Sequence, residues 1–404
     1  MNGASNRFMT LDEWPFHREG VGGRWMSQAS EKHVIEIRGD MLEGGGQIVR
    51  VSAALAAVAQ KPIRITNVRA KRSPSGLRPQ HLAALRALAE VTQGEVQGLY
   101  VGSKEVYFNP GNAKEGSYTF DVGTAGSTTL VLQALLPALA YASGKVAVTL
   151  IWGTNNPMVS QVEQFTEILV PALRRMGLTA SVKLRRRGFY PKGGGIVEAE
   201  VEPVTSILPV LMTRFTGAEV LSGLAYSSRL PCHIVERMMK AAQEALGKGG
   251  YSLRDVKLEC LQPDNELCAP GPSCGIFLKA KVAPTEWIAG DALGELGKPA
   301  EKVGEEAAGA LMKQLAAKRP VDRHLLDQLL PWLGLAKGTS VLSTSELTLH
   351  ALTCTEVSRQ VIGARYTVEG GLGEPSVIKC DGVGLSRAGP VSYTHLRAHE
   401  TGRN

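Results

Sequence analysis

Short apolar runs alternate with helical patterns along most of this chain, and this alternation allows few architectures. Between the runs, apolar residues recur every three or four positions, as they do on the buried face of a helix. Strands that alternate with helices predict the α/β (α+β) class. The runs typical of strands are residues 33–37, 63–68, 95–100, 118–122, 146–152 and 197–201.

The order strand, turn of small residues and apolar helix occurs three times, near Glu43, at residues 123–127 and before His350. We therefore expect three repeated α/β units forming a large domain. The composition changes after Arg214, and the segment that follows has helical and strand patterns of its own. We expect residues 214–317 to form a small inserted α/β domain, and residues 31–213 and 318–388 to form the main body.

The two ends of the chain differ from this body. Residues 1–30 are polar with scattered aromatic side chains and lack the apolar core of a secretory signal, which indicates a disordered extension outside the fold. Residues 389–404 have no hydrophobic period and look like translated sequencing adapter, so we interpret them as a non-native tail. His395 and His399 are therefore not site candidates.

Composition limits the class of protein. The 404 residues are 44% hydrophobic and 21% charged, which predicts a globular protein with more than one hydrophobic core. The most apolar stretch, residues 128–142, is shorter than the roughly 20 residues of a membrane span. It also contains Gln133 and Pro137, so we expect a buried helix and no membrane partner. The net charge of +7 fits a polyanionic partner, although scattered lysines give the same total.

The six cysteines show no CxxC pair and no Cys/His ligand spacing. This pattern indicates neither a zinc site nor a disulfide framework. A reducing compartment, the cytoplasm, is the expected location.

A single histidine is the strongest candidate for chemistry. The segment ending in His350 places this residue in the first turn of a helix predicted over residues 349–362 and ended by Gly363. The positive end of a helix disfavours a protonated imidazole, and a neutral imidazole is a nucleophile. A lone histidine at a helix start is more often structural, so the argument depends on the rest of the chain.

Two further segments are suited to binding anions. In residues 43–50 three glycines allow a phosphate to approach the backbone before a helix, with Glu43 as a candidate cation ligand and Arg50 at the far end. The alternative is a tight strand-to-helix turn. In residues 68–81, Arg69, Arg72 and Arg78 lie in a loop stiffened by prolines, which favours a fixed anion site over a solvated basic surface.

Two other patterns leave alternatives open. Residues 185–195 combine three arginines, two aromatic rings and four glycines, which suits either nucleic-acid contact or a hairpin with a basic edge. His324, Asp327 and Gln328 share one helix face, and helix capping and packing alone explain such a trio. A Rossmann fingerprint, a P-loop and a Ser-His-Asp order are not recognisable in the sequence.

Taken together and in order, six motifs resemble the RNA 3′-terminal phosphate cyclase family. The resemblance runs from about residue 34 to residue 385. The motifs are EGGGQIVR at residues 43–50, RAKRSPSGLRPQHL at 69–82, GTAGS at 123–127, GFYPKGGG at 188–195, HLLDQ at 324–328 and TLH at 348–350.

The resemblance implies a ligase-type nucleotidyl transferase that uses ATP and Mg²⁺ or Mn²⁺. It would convert the 3′-phosphate of an RNA partner into a 2′,3′-cyclic phosphodiester, with His350 as the nucleophile that holds AMP covalently. The implied ATP contacts are Glu43, Pro157, His324, Asp327 and Gln328, with Glu43 also binding the metal. The implied RNA phosphate contacts are Arg50, Arg69, Arg72 and Gln80.

Two other functions remain open from the sequence. One is a non-catalytic, cyclase-like RNA-binding protein of ribosome assembly, and the other is a nucleotidyl transferase that adenylates other phosphate ends. The cyclase-like relatives lack the nucleophilic histidine, so the presence of His350 favours the enzyme. The oligomeric state is left open, with a homodimer as one option.

Overall fold

The structure, a computed structural model, describes residues 33–123 and 126–387. The expected N-terminal extension, residues 1–30, and the expected tail, residues 389–404, lie outside the described residues. Within the described ranges no helix is long and apolar enough to cross a membrane.

The first unit is a four-stranded sheet covered by two helices. Its strands follow the order β1-β2-β4-β3, in which β1 and β2 are parallel and the other pairs are antiparallel. The elements are β1 (Ile35–Arg38), α1 (Gly46–Ala59), β2 (Ile63–Thr66), α2 (Pro79–Thr92), β3 (Glu95–Gln97) and β4 (Val106–Asn109). Strand β3 is shorter than the predicted run of residues 95–100, because Gly98 has a φ of 77° and turns the chain.

The second unit repeats this topology. Its strand order is β5-β6-β8-β7, again with the first pair parallel and the others antiparallel. The elements are β5 (Gly116–Asp121), α3 (Thr128–Ala140), β6 (Val146–Trp152), α4 (Val162–Gln164), a π-helical turn (Phe165–Leu169), α5 (Val170–Arg175), β7 (Ala180–Arg186) and β8 (Gly195–Val201).

The third unit begins with β9 (Leu211–Met212) and is then interrupted. The interrupting segment forms its own sheet, β11-β10-β12-β13, with two helices that enclose a separate apolar core including Met238, Leu278 and Leu311. Its elements are β10 (Val220–Ser228), α6 (His233–Lys248), β11 (Asp255–Leu261), β12 (Ser273–Lys281), β13 (Trp287–Leu293) and α7 (Ala300–Ala316).

The third unit then resumes and completes the same strand pattern. The order β9-β14-β16-β15 has its first pair parallel and the others antiparallel, as in the first two units. The elements are α8 (Arg323–Leu335), β14 (Thr339–Thr344), α9 (Leu349–Ile362), β15 (Arg365–Glu369) and β16 (Ser376–Asp381). The mixed α/β fold class with repeated units is therefore confirmed.

One detail of the predicted repeat is different in the structure. The turns near Glu43 and Gly123 precede the first helix of their units, whereas the turn before His350 precedes α9, the second helix of the third unit. In that unit, residues 213–322 lie between β9 and α8, where the other units have a short turn. Helix α1 packs against α9, α3 and α2, so its apolar side is enclosed in the main core.

The expectation that the cysteines form no disulfide is wrong. Cys232, immediately before α6, and Cys260, near the end of β11, form a disulfide with Cα atoms 5.3 Å apart. Twenty-eight positions separate the two residues, and only the packing of α6 beside β11 brings them together. Sequence spacing carries no information about this contact.

Candidate functional site

His350 occupies the second position of α9, at an N-terminus that is capped by Thr348. The Thr348 hydroxyl accepts a hydrogen bond from the backbone N–H of Ala351 at 2.9 Å. Burial lowers the pKa of His350, Glu43 opposes this shift, and Arg50 and Arg72 add to it. The ring is therefore predominantly neutral at pH 7, as expected of a nucleophile.

The N-terminal ends of α1 and α9 meet at this histidine. Gln47, the second residue of α1, places its Oε1 atom 2.5 Å from His350 Nδ1. Glu43 Oε2 lies 3.6 Å from the same nitrogen. Gln47 was not among the predicted site residues, although it lies inside the EGGGQIVR motif, four residues after Glu43.

Glu43 is a buried carboxylate with incomplete pairing. Its Oε1 atom forms an ion pair with Arg72, while its Oε2 atom is buried and accepts no hydrogen bond from the residues that the structure describes. Its backbone N–H donates to Thr353 Oγ1 at 3.4 Å. In the described part of the chain no cluster of three or more His, Cys, Asp or Glu residues could enclose a metal ion. One free carboxylate oxygen instead suits a Mg²⁺ or Mn²⁺ ion whose other ligands come from substrate phosphates and water.

The arginine-rich loop before α2 is held by its own backbone. Arg69 has a φ of 52°, and its Nη1 donates to the carbonyl oxygens of Pro74 at 2.8 Å and Gly76 at 3.0 Å. Burial lowers the pKa of Arg69, and the neighbouring cations Arg78 and Arg72 lower it further. Cations held this close together repel one another, and a bound anion would relieve that repulsion.

Arg50 and Gln80 complete the predicted phosphate-contacting set. Burial lowers the pKa of Arg50 to about 10, and the charge of Glu43 only partly compensates. Gln80 is half-buried at the second position of α2, after Pro79. Gln80 is therefore a polar group at a helix start, where backbone N–H groups also face outward, whereas Arg50 is the fifth residue of α1.

A cavity of about 950 Å³ opens beside His350. Gln47 lines it, as do residues of the insertion such as Asp291 and Lys298. The predicted residues Glu43, Arg69, Arg72 and Gln80 do not line this cavity, although Glu43 and Arg72 connect to it through His350. The predicted residues on its wall are Arg50, Pro157, His324, Asp327, Gln328 and His350.

Two polar residues of α8 face the cavity with unusual surroundings. Burial raises the pKa of Asp327 to about 7, and its Oδ1 accepts a hydrogen bond from Thr348 at 2.8 Å. Gln328 donates weakly to Ser160 Oγ at 3.5 Å, while its Oε1 atom is buried and has no partner within residues 33–123 and 126–387. An unpaired buried acceptor on a cavity wall suits a polar ligand.

The basic segment of residues 185–195 has a structural role in this chain. Arg187 is 1% exposed and pairs with Glu163 at 2.7 Å and Glu259 at 3.0 Å. Arg185 pairs with Glu198, and Arg186 donates to the Gly194 carbonyl. Of the two alternatives left open by the sequence, these contacts favour the hairpin, and they connect it to β11 of the insertion.

The fold and the site together define a repeated α/β protein in which a histidine at a helix start meets a carboxylate and clustered arginines beside a large cavity. Comparison with known proteins gives the family. Residues 41–368 match the family model described as RNA 3′-terminal phosphate cyclase. This chain belongs to that family.

Several archaeal relatives named RNA 3′-terminal phosphate cyclase align over nearly their whole length. The protein of Ignicoccus hospitalis is 43% identical over 87% of this chain and 99% of its own. The proteins of Staphylothermus marinus and Pyrococcus furiosus are each 41% identical, over 87% and 86% of this chain and 99% and 98% of their own. Among solved structures, the enolpyruvyl transferase NikO from Streptomyces tendae aligns at 13% identity with a TM-score of 0.35, over 85% of this chain and 48% of its own.

Proposed function

We propose that this chain is an RNA 3′-terminal phosphate cyclase that uses ATP to convert an RNA 3′-phosphate into a 2′,3′-cyclic phosphodiester. The observation that carries the proposal is the position of His350, at a helix start and on the wall of a cavity that Arg50 also lines. The name shared by relatives aligned over their whole length supports the substrate. We place the activity in the cytoplasm, where ATP and RNA occur together.

The reaction would proceed in three displacements. First, the neutral imidazole of His350 attacks the α-phosphorus of ATP, so that an N–P bond forms and pyrophosphate leaves. Next, an oxygen of the RNA 3′-phosphate attacks the same phosphorus and takes the AMP from the histidine. Finally, the neighbouring 2′-OH attacks the activated RNA phosphate, which closes the ring and releases AMP.

The surrounding residues would bind and orient the two substrates. Arg50, Arg69, Arg72 and Gln80 are the groups we propose for the RNA terminal phosphate, because guanidinium forks match phosphate oxygens. The groups proposed for the adenosine side of ATP are Pro157, His324, Asp327 and Gln328, all on the cavity wall.

Glu43 is the residue that we propose to hold a divalent cation, together with phosphate oxygens of ATP. The cation would offset phosphate charge during the displacements. Replacing Glu43 by Gln should weaken Mn²⁺ binding at least about tenfold in titrations with a non-hydrolysable ATP analogue. Glu36→Gln, a change at an exposed position of β1, serves as the control. Equal Mn²⁺ affinity in the two variants would remove Glu43 from the metal site.

Labelling with α-³²P-ATP tests the first displacement. The wild-type chain should acquire an acid-labile label with Mg²⁺ or Mn²⁺, and His350→Ala should acquire none. His233→Ala is a matched control, because His233 also stands at a helix start, that of α6, but outside the cavity. Absence of label on the wild-type chain would instead favour the non-catalytic RNA-binding function.

The second and third displacements are tested with two RNA ends. RNA ending in a 3′-phosphate should be cyclised, whereas its 2′-deoxy counterpart should accumulate as the adenylate because it has no 2′-OH. Stable adenylation of both ends would indicate a nucleotidyl transferase that caps phosphates.

The arginine assignment is tested by salt. The logarithm of the RNA affinity should fall with the logarithm of salt concentration, by about 0.7 per phosphate contact. Arg72→Gln should reduce this slope by about 0.7, the value for one phosphate contact. A slope unaffected by the substitution would remove Arg72 from the RNA site.

A further inference from the structure

The amide of Gln47 lies between the candidate nucleophile and a buried thiol. It is 7% exposed and sits at the second position of α1. Its Oε1 atom is 2.5 Å from His350 Nδ1, and its Nε2 atom donates to Cys354 Sγ at 2.9 Å. His350 and Cys354 are one turn apart on α9, so a single amide spans both.

The thiol determines which way this amide points. Cys354 is fully buried, and its Sγ donates to the backbone carbonyl of Asp327 at 3.4 Å. With its hydrogen directed at that carbonyl, the sulfur is left as an acceptor. The NH₂ end of Gln47 therefore faces Cys354, and the oxygen end faces His350.

An oxygen facing Nδ1 determines the tautomer of the neutral ring. A neutral imidazole carries its hydrogen on one nitrogen and a lone pair on the other, and the partner of one nitrogen decides between them. Because the oxygen of Gln47 can only accept, Nδ1 must carry the hydrogen. Glu43 Oε2, at 3.6 Å, is too distant to be the direct partner.

We propose that Gln47 is a positioning residue that holds His350 in the tautomer whose Nε2 lone pair is free to attack phosphorus, and that Cys354 fixes the orientation of the Gln47 amide. This inference rests on the proposed function. During the attack the Nε2 lone pair forms the N–P bond, the P–O bond to pyrophosphate breaks, and the Nδ1 hydrogen stays in place. The adenylylated ring is then cationic, and the Gln47 oxygen remains hydrogen-bonded to it.

Rates of self-adenylylation in single-turnover conditions test the proposal. Gln47→Leu removes the acceptor and should slow adduct formation by about 10²- to 10⁴-fold, the upper value being the loss when a catalytic histidine is left in the wrong tautomer. The ATP concentration at half-maximal rate should change less than about threefold, because the loss is in the chemical step. Gln47→Glu keeps an accepting oxygen and should retain most of the rate. Gln360→Leu, on α9 but paired with Glu356, is the control.

A spectroscopic measurement reports the tautomer directly. In the full-length chain labelled with ¹⁵N-histidine, two-bond ¹H–¹⁵N spectra should show His350 with its hydrogen on Nδ1, and His350→Ala identifies the signal. Cys354→Ala leaves the Gln47 amide free to rotate and should give a mixture of tautomers with about a tenfold slower adduct. If Gln47→Leu does not fold, the rates of Gln47→Glu and Cys354→Ala are compared instead. Gln47→Glu keeps an acceptor facing Nδ1, whereas Cys354→Ala leaves the orientation of the acceptor unfixed.

The outcomes separate this inference from the proposed function. A wild-type chain that labels, with Gln47→Leu and Cys354→Ala labelling at the same rate and with an unchanged spectrum, would overturn the role of Gln47 and leave the cyclase assignment intact. A wild-type chain that does not label at all would refute the proposed function itself.

Discussion

The hydroxyl of Thr348 donates a hydrogen bond to Asp327 Oδ1 at 2.8 Å, and the hydroxyl oxygen of Thr348 accepts one from the backbone N–H of Ala351. One side chain thus caps α9 and ties it to α8. Because His350 follows two residues later, the position of its ring depends on both hydrogen bonds. The cap is therefore a structural determinant of the site.

Replacing Thr348 by Val should destabilise the protein by about 2 kcal/mol. The loss combines a missing N-cap with a missing partner for the buried carboxyl of Asp327. Thr348→Ser keeps the hydroxyl and should cost less than about 1 kcal/mol. Urea denaturation measures both free energies of unfolding, and a Thr348→Val chain as stable as the Ser variant would contradict the capping argument.

The stability should depend on pH through Asp327. Its pKa is about 7 in the folded chain and near 3.8 when unperturbed, so the folded state binds this proton more tightly. The free energy of unfolding should therefore fall as the pH rises from about 4 to about 7, and the contribution should be constant above that. Asp327→Asn removes the effect.

The comparison of Asp327→Asn with the wild-type chain gives the magnitude. The full shift corresponds to about 4 kcal/mol, which the partly accessible cavity wall should reduce to roughly 1–2 kcal/mol. The Asn variant should thus be more stable than the wild type at pH 8 and equal to it at pH 4, as measured by urea denaturation. If the free energies of unfolding of the two chains changed in parallel between pH 4 and pH 8, Asp327 would not titrate near 7.

Gly46 should not tolerate a side chain. A Cβ atom at this first residue of α1 would overlap Nε2 of His81, whose ring is 1% exposed. Gly46→Ala should therefore cost about 1–3 kcal/mol, and adding His81→Ala should recover part of the loss. Gly309→Ala, in α7 with open space around it, is the matched control and should stabilise by up to about 1 kcal/mol. Thermal unfolding is measured for the wild type, Gly46→Ala, His81→Ala, the double variant and Gly309→Ala. Additive effects of Gly46→Ala and His81→Ala would rule out the contact.

Two neighbouring arginines should differ strongly in their contribution to stability. Arg187→Met leaves the buried Glu163 without its partner and should cost about 3–5 kcal/mol. Arg185→Met removes an exposed pair with Glu198 and should cost less than about 1 kcal/mol. Guanidinium denaturation measures both, and similar midpoints would mean that solvent reaches the pair of Arg187 and Glu163.

Local sequence signals predicted the helices and strands. Contacts between residues that are far apart in the sequence could not be predicted. Helix α9 begins and ends where the sequence predicts, because Thr348 and Gly363 terminate it through their own conformations. The contact of Gln47 with His350 could not be predicted, because it arises only when α1 packs on α9. The disulfide of Cys232 and Cys260 was missed for the same reason.

The basic segment of residues 185–195 shows a further limit of sequence reasoning. Its composition equally suits nucleic-acid contact and a hairpin, and composition does not report whether a guanidinium is exposed. The carboxylates of Glu163 and Glu259 that enclose Arg187 come from a preceding helix and from the insertion. Of the ten residues that the resemblance implied, six line the cavity, whereas Glu43, Arg69, Arg72 and Gln80 do not.

The separation of Gln47 and His350 by 303 residues has a consequence during synthesis. A ribosome-bound chain that has completed its first two units has the glycine-rich turn and the arginine loop but no α9. Such a chain lacks His350, the proposed nucleophile, so under the proposed function it could not trap AMP on an unfinished protein. The ability to react with ATP would therefore arise only once the last repeat has been made and has docked, which makes self-labelling a direct readout of complete assembly.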